Sequence, residues 1–342
     1  AEMRPEPRYA AVGGHAGLRS AIARHLGISR GISALADEVI VTNGTQQAID
    51  ILARILLSPG DRIAVEDPGY EAPRRAFEAA GATVIGVPVD QEGLLADALP
   101  EGVKAVYVTP SHQYPLTVTM SLARRRALLA WADRQGAAII EDDYDGEFRF
   151  EGRPFEPIRT LDRGGRVIYV GSFSKTMLPS LRLGFMLVPS TLHAAALKAK
   201  YVSDWHTSTL EQAALAEFIE DGSFARHIRK LSLAYRARHR LIAQTIRRDF
   251  AEHLELIDST SGLHLAARAR SISVPEMSEI AARAAADGVQ VQRLSSFAAT
   301  LPPQPGLVLG YGAISLSEIE EGLRRLRRCF ETGSARTAPS DG

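Results

Sequence analysis

Apolar and polar positions follow two rhythms along this chain. Between residues 16 and 190, strand-length apolar runs alternate with stretches whose apolar residues recur every three or four positions, the pattern of helices packed on a mostly parallel sheet. It predicts helices near 16–26, 45–57, 71–80 and 121–135, and strands near 61–66, 82–87, 103–108, 137–142, 166–171 and 182–188. The runs VKAVYV (103–108) and AAII (137–140) are apolar on both faces, as central strands covered by helices on both sides require. Residues 189–250 read as helical almost throughout and end in a basic amphipathic stretch, HIRKLSLAYRARHRLIAQTIRRDF. Strands near 254–258, 262–268, 289–293 and 306–310, with helices near 275–287 and 315–332, make a smaller α+β unit. The expected organisation is an N-terminal segment (1–30) packing on the small unit or a partner subunit, a large α/β unit (31–250), a small C-terminal unit (251–332) and a mobile tail (333–342) without apolar period.

Composition narrows the function classes. With 342 residues, 45% of them hydrophobic and 23% charged, the chain is globular and too long for one small module. Forty Lys and Arg balance forty Asp and Glu, so no global field draws it to nucleic acid or a membrane. The single cysteine, Cys329, makes neither an internal disulfide nor a thiolate metal site, and a reducing cytoplasm fits best. No run reaches the roughly 18 apolar residues of a spanning helix, and no signal-peptide core is present. The opening AEMRPEPRYAAVGG reads as the middle of a longer protein.

Four places carry candidate chemistry. In VIYVGSFSKTMLPSLRLGF (167–185) a buried strand ends in Ser172, Ser174 and Lys175, with Arg182 seven residues on. Desolvation would make such a lysine nucleophilic toward an aldehyde; a solvated loop lysine is the plain alternative, and the S-x-x-K spacing lacks the S-D-N and K-T-G of serine acyl-transfer enzymes. Glu141, Asp142 and Asp143, followed by Tyr144, end another buried strand, where crowded acids need a cation; no metal is expected, since no histidine is near in sequence. Asn43-Gly44-Thr45-Gln46 turns a strand into a helix whose first N–H groups and dipole suit a phosphate, though Thr45 could serve as a plain N-cap. Pro68-Gly69-Tyr70 puts an aromatic ring on a turn, to stack on a flat ring or merely to pack. The basic clusters Arg124-Arg125-Arg126 and 324–328 read as solvated faces.

A phosphate, a flat ring, a ring cation and an aldehyde describe one ligand, pyridoxal 5′-phosphate (PLP). Over nearly its whole length the chain resembles the fold-type I aminotransferases, through Tyr9, Gly14, Leu18-Arg19, Asn43-Gly44-Thr45-Gln46, Pro68-Gly69-Tyr70, the acidic strand end, and Ser172-Phe173-Ser174-Lys175 with Arg182. The resemblance implies that fold, with Lys175 carrying PLP as an aldimine and Asp142 (or Glu141, by the commoner D-x-x-Y spacing) pairing with the pyridine nitrogen. It further implies Tyr144 on the ring oxygen, Tyr70 stacked on the ring, and Gly44, Thr45, Gln46, Ser172, Ser174 and Arg182 around the phosphate. Tyr9 would reach a partner's phosphate in a homodimer.

Two departures matter. The family's N-P-T-G is replaced by SHQYPLT (111–117), so His112 or Gln113 is expected to take over the contact of the lost Asn, and GLVLGYGA (306–313) lacks the arginine that binds a substrate carboxylate. Arg293 is either its substitute or an ordinary strand residue. TPSHQYP, EDDYD and SFSKTMLPSLRLGF resemble the MocR/GabR class of bacterial transcription regulators. That resemblance implies a PLP-binding, dimerising domain sensing an amine, an amino acid, a sulfonate or PLP itself, with DNA contacted through a winged helix–turn–helix domain absent from this chain. A free-standing aminotransferase is the competing expectation, and little or no transaminase turnover is expected.

Overall fold

The computed structural model describes residues 9–152 and 156–334. The chain runs through α1 (Ala16–Arg30), β1 (Val39–Thr42), α2 (Gly44–Leu56), β2 (Arg62–Asp67), α3 (Glu71–Ala79), β3 (Thr83–Asp90), β4 (Gly93–Leu94), β5 (Val103–Val108), α4 (Leu122–Gln135), β6 (Ala138–Asp143), α5 (Ile158–Leu161), β7 (Val167–Ser172) and β8 (Gly184–Leu187). There follow α6 (Ser190–Asp204), α7 (Thr209–Glu220), α8 (Ser223–Asp249), β9 (Leu254–Leu256), β10 (His264–Ala269), α9 (Val274–Ala286), β11 (Gln292–Arg293), β12 (Gly306–Gly310) and α10 (Leu316–Ser334).

The large sheet has the order β1-β8-β7-β6-β5-β2-β3-β4. β2, β3, β5, β6 and β7 pair in parallel, while β8 runs antiparallel to both β7 and β1. Helices cover both faces, so strand alternation sends neighbouring residues into different cores. Tyr107, Ile140, Ile168 and Val170 pack with Ile49 and Leu52 of α2. Val106, Val108 and Ile139 pack with Leu128 and Trp131 of α4 on the opposite face. This is the fold-type I aminotransferase architecture, a mixed sheet between helical layers. The second sheet, β11-β12-β10-β9, is antiparallel.

Several expectations change. The described part of the N-terminal segment packs on the large unit and not the small one: Leu18, Ile22 and Leu26 of α1 sit with Val39, Val41, Tyr169 and Phe185 of the large sheet and Leu215 of α7, the apolar surface nearest to where α1 leads into β1. The 189–250 stretch is three helices, broken at Trp205 and Gly222, both at positive φ. α8 begins in the large unit's core at Phe224 and ends in the small unit's core at Ile242, Ala243 and Ile246, so one continuous helix joins the two. Arg125 is no solvated residue; it is fully buried and donates to the carbonyls of Met120, Pro110 and Glu156. Residues 1–8, and the expected tail beyond Ser334, lie outside the described residues. Among the described residues no helix is long and apolar enough to cross a membrane.

Candidate cofactor site

The carboxyl ends of β5, β6 and β7 and the first turn of α2 surround a cavity of about 420 Å³, the crevice where open α/β sheets bind ligands. Alternation along β6 decides which acid faces it. Asp142 shares the α2 face of the sheet with Ile140 and lines the cavity. Glu141 points the other way, accepting from the backbone N–H groups of Ile158 and Arg159 at 2.8 Å with Arg125 3.8 Å away. Asp143 also points away and pairs with Arg30 at 2.8 Å. Tyr107 donates to Asp142 Oδ2 at 2.6 Å, while Oδ1 is buried without a partner. Burial, against the Tyr107 hydrogen bond, pushes the Asp142 carboxyl up to about 7.

At the other end of the cavity Thr45 and Gln46 open α2, whose start has no side-chain cap. Ser172, Ser174 and Arg182 complete this side. Ser172 Oγ accepts from Ser174 N at 3.0 Å, and Arg182 Nη2 reaches the Asn43 carbonyl at 3.2 Å. Gly44 stands at φ +70, where a Cβ would lie 2.9 Å from Arg182 Nη2, so the turn needs glycine both for its backbone and for that close approach. Together these groups form a cup of N–H, hydroxyl and guanidinium donors suited to a phosphate. Lys175 lies on the turn beyond β7 and is exposed to the cavity.

The walls are aromatic. Tyr70, Tyr114 and Tyr144 line the cavity, with Tyr114 edge-on to both of the others. Ten expected residues thus converge: Thr45, Gln46, Tyr70, Asp142, Tyr144, Ser172, Ser174, Lys175 and Arg182 on the lining, and Gly44 directly behind it. Others do not. Gln113 is occupied as a loop staple, its Nε2 donating to the carbonyls of Pro68 and Tyr114 and its Oε1 accepting from Leu116 N. His112 lies behind Tyr144, buried against Asp145 at 2.8 Å. Tyr9 is 74% exposed and stacks on Trp205 of its own chain at 4.3 Å. Arg293 turns away to Ser278 Oγ.

The lining also holds Thr109, Tyr114 and Gln292, which sequence reading missed. Thr109 follows β5 and its hydroxyl donates to Glu66 Oε2 at 2.6 Å. Gln292 precedes Arg293 on β11 and meets the Tyr114 hydroxyl at 3.0 Å. Of the two alternatives for Arg293, the structure shows the ordinary exposed strand residue; strand alternation puts its neighbour Gln292 on the cavity side instead.

Residues 1–326 match the family model described as aminotransferase class I and II. The chain is 40% identical over 323 residues, 94% of its length, to the "Probable rhizopine catabolism regulatory protein MocR" of Rhizobium meliloti, of whose length it spans 65%. It is 30% identical over 330 residues to aromatic-amino-acid aminotransferase 1 of Thermococcus litoralis, covering 93% of this chain and 78% of that one. The structure of Pyrococcus horikoshii kynurenine aminotransferase, solved with PMP, superposes with a TM-score of 0.88 at 29% identity, covering 96% and 83% of the two chains. With the sheet order, the cavity at the strand ends and this match in agreement, the chain belongs to the class I and II aminotransferase family.

Proposed function

We propose that this chain is the ligand-sensing part of a MocR-type bacterial transcription regulator, using an aminotransferase cavity to detect a small effector in the cytoplasm. The observation that carries this reading is the 40% identity to MocR over 94% of the chain. The cofactor is pyridoxal 5′-phosphate, and the residues present fit it. The unpartnered Asp142 Oδ1 is an acceptor for a protonated ring nitrogen, and the cup at Thr45, Gln46, Ser172, Ser174 and Arg182 is a donor set for its phosphate. Lys175 would hold the cofactor through its aldehyde, Tyr144 would serve its ring oxygen and Tyr70 its flat face, all three being lining residues. When bound, the group acts as an electron sink for a substrate amine.

The effector is an amine, an amino acid, a sulfonate or PLP itself. A second copy completes the assembly, and the exposed Tyr9, stacked on Trp205 of its own chain, would have to leave that contact to reach the partner's phosphate cup. DNA is contacted by a winged helix–turn–helix domain of the longer regulator, which the 65% coverage of MocR supports.

A free-standing aminotransferase is the second reading, favoured by the Thermococcus litoralis relative. Against it, Arg182 is the one guanidinium among the described lining residues, and it stands at the phosphate end. Transamination needs the substrate held in one orientation, and misplacement by about 1 Å costs roughly a hundredfold in rate. The test is a steady-state assay of the PLP-loaded protein with common amino acid and keto acid pairs, after borohydride reduction of a separate sample has identified Lys175 as the labelled residue. Turnover far below about 1 per second, the low end of ordinary enzymes, is expected; turnover at or above it replaces the regulator reading with the enzyme.

A further inference from the structure

We propose that His112 and Asp145 form a buried dyad that points the Tyr144 hydroxyl proton into the cavity, making Tyr144 a fixed hydrogen-bond donor to the cofactor's ring oxygen. The inference rests on the reading that this cavity holds PLP. His112 and Asp145 are 1% exposed. The His112 Nδ1 atom lies 2.8 Å from Asp145 Oδ2 and 3.1 Å from the Tyr144 hydroxyl, so carboxyl and phenol compete for one nitrogen.

The competition has a definite outcome. In the proposed dyad Nδ1–H donates to the Asp145 carboxylate across the 2.8 Å contact, and a protonated Nδ1 has no lone pair left for Tyr144. Tyr144 then cannot donate to Nδ1; its oxygen is at most an acceptor there, and its own proton is left for the cavity it lines. Were the proton on Nε2 instead, Tyr144 would donate backwards to Nδ1 and present a lone pair to the ring oxygen, which repels it.

The packing holds this ring in place. His112 packs against His264 with ring centroids 4.7 Å apart and planes tilted by 46°, and Nε2 lies 3.4 Å from Ser259 Oγ. A Cβ on Gly262 would fall within 2 Å of the His112 ring, where nothing larger than glycine fits. The groups facing the dyad are Tyr144 beside it in sequence, His264 from β10, His239 from α8, Asp142, Asp143 and Glu147 from the β6 end, and Tyr311 after β12. Burial keeps His264 neutral by holding it well below the usual histidine range, so it adds no competing charge. His112 and Asp145 are therefore positioning residues: they act through Tyr144 and do not line the cavity.

Two measurements test this. In cofactor-free protein, ¹⁵N NMR of the His112 ring is expected to show a protonated Nδ1; an unprotonated Nδ1, or a metal-bound one, overturns the proposal whether or not PLP binds. In PLP-loaded protein, a donor to the ring oxygen favours its anionic form. Tyr144→Phe should therefore raise the pH midpoint of the cofactor's visible absorbance by about one pH unit. Asp145→Leu should raise it similarly, with no further shift in the double variant. An Asp145→Leu protein that titrates like the parent overturns the proposal, and if that variant does not fold, the NMR result on the parent chain decides. Failure to bind PLP at all would sink the proposed function while leaving the NMR arm intact.

Discussion

Gly44 shows how one residue joins backbone geometry to ligand binding. Its φ of +70 costs an L residue roughly 1–2 kcal/mol, and the added methyl would displace the Arg182 guanidinium from its place beside the helix start. Gly44→Ala should lower stability by about that amount and weaken PLP binding at least about tenfold, the equivalent of one charge-assisted hydrogen bond. An absorbance titration with PLP reads the affinity; unchanged binding would mean that Arg182 takes no part in the cup. Residues such as Lys175, Asp142 and Arg182 were legible because few structural roles place an amine, an acid and a guanidinium at consecutive strand ends. Thr109 and Gln292 were not, because a hydroxyl or amide beside a strand has many ordinary uses. Choosing between Glu141 and Asp142 depended on which face of β6 meets α2, which is a matter of packing and not of spacing.

At the scale of elements, the start of α2 is set by a side chain that the pattern hides. Lys200, in AALKAKYVSD of α6, is fully buried. Its Nζ donates to Gln47 Oε1 at 3.1 Å, Asp204 Oδ1 at 2.9 Å and Thr207 Oγ1 at 3.1 Å. Asp204 in turn accepts from Asn43 Nδ2 at 2.8 Å, so the end of α6 is tied to the N-cap of α2. Lys200→Met strands Asp204 without its cation and should cost about 3 kcal/mol, read as a drop in the denaturation midpoint. Adding Asp204→Asn should restore part of it, and if the single variant is as stable as the parent, this tie contributes nothing. The long parallel strands were legible because both faces are apolar. β1 was legible only as the strand leading into the Asn43 turn and not by its bounds, because four residues make too short a run, and the reversed direction of β8 could not be read because periodicity carries no sense of strand polarity. α8 looked like one domain's helix because its apolar stripe does not change where the core beneath it does.

For the whole molecule, the cavity should make stability depend on pH in an unusual direction. Asp142 and Glu66 are both buried beside the site, and burial pushes each carboxyl up to about 7, above the ordinary values of 3.8 and 4.5. Glu66 keeps one oxygen unpartnered while the other accepts from Thr109 and Gln113. A carboxyl that is harder to ionise when folded binds more protons in the native state than in the unfolded chain across the interval between those values. Its stabilising share is complete below about pH 4 and is lost as pH rises through 7. Most globular proteins gain stability on leaving acid, so the cofactor-free protein should differ over this interval, its Tm falling between pH 5 and pH 8. Asp142→Asn and Glu66→Gln should each flatten that fall, because an amide has no proton to lose. PLP should flatten it too, since a protonated ring nitrogen beside Asp142 Oδ1 stabilises the ionised carboxylate by direct Coulomb attraction. The measurement is a set of thermal denaturation curves for the parent and the two variants, with and without PLP. A cofactor-free parent whose Tm rises steadily from pH 5 to pH 8 would mean that both carboxyls are ionised in the folded protein, and that Asp142 is held ready for the ring by something other than the cofactor's own charge.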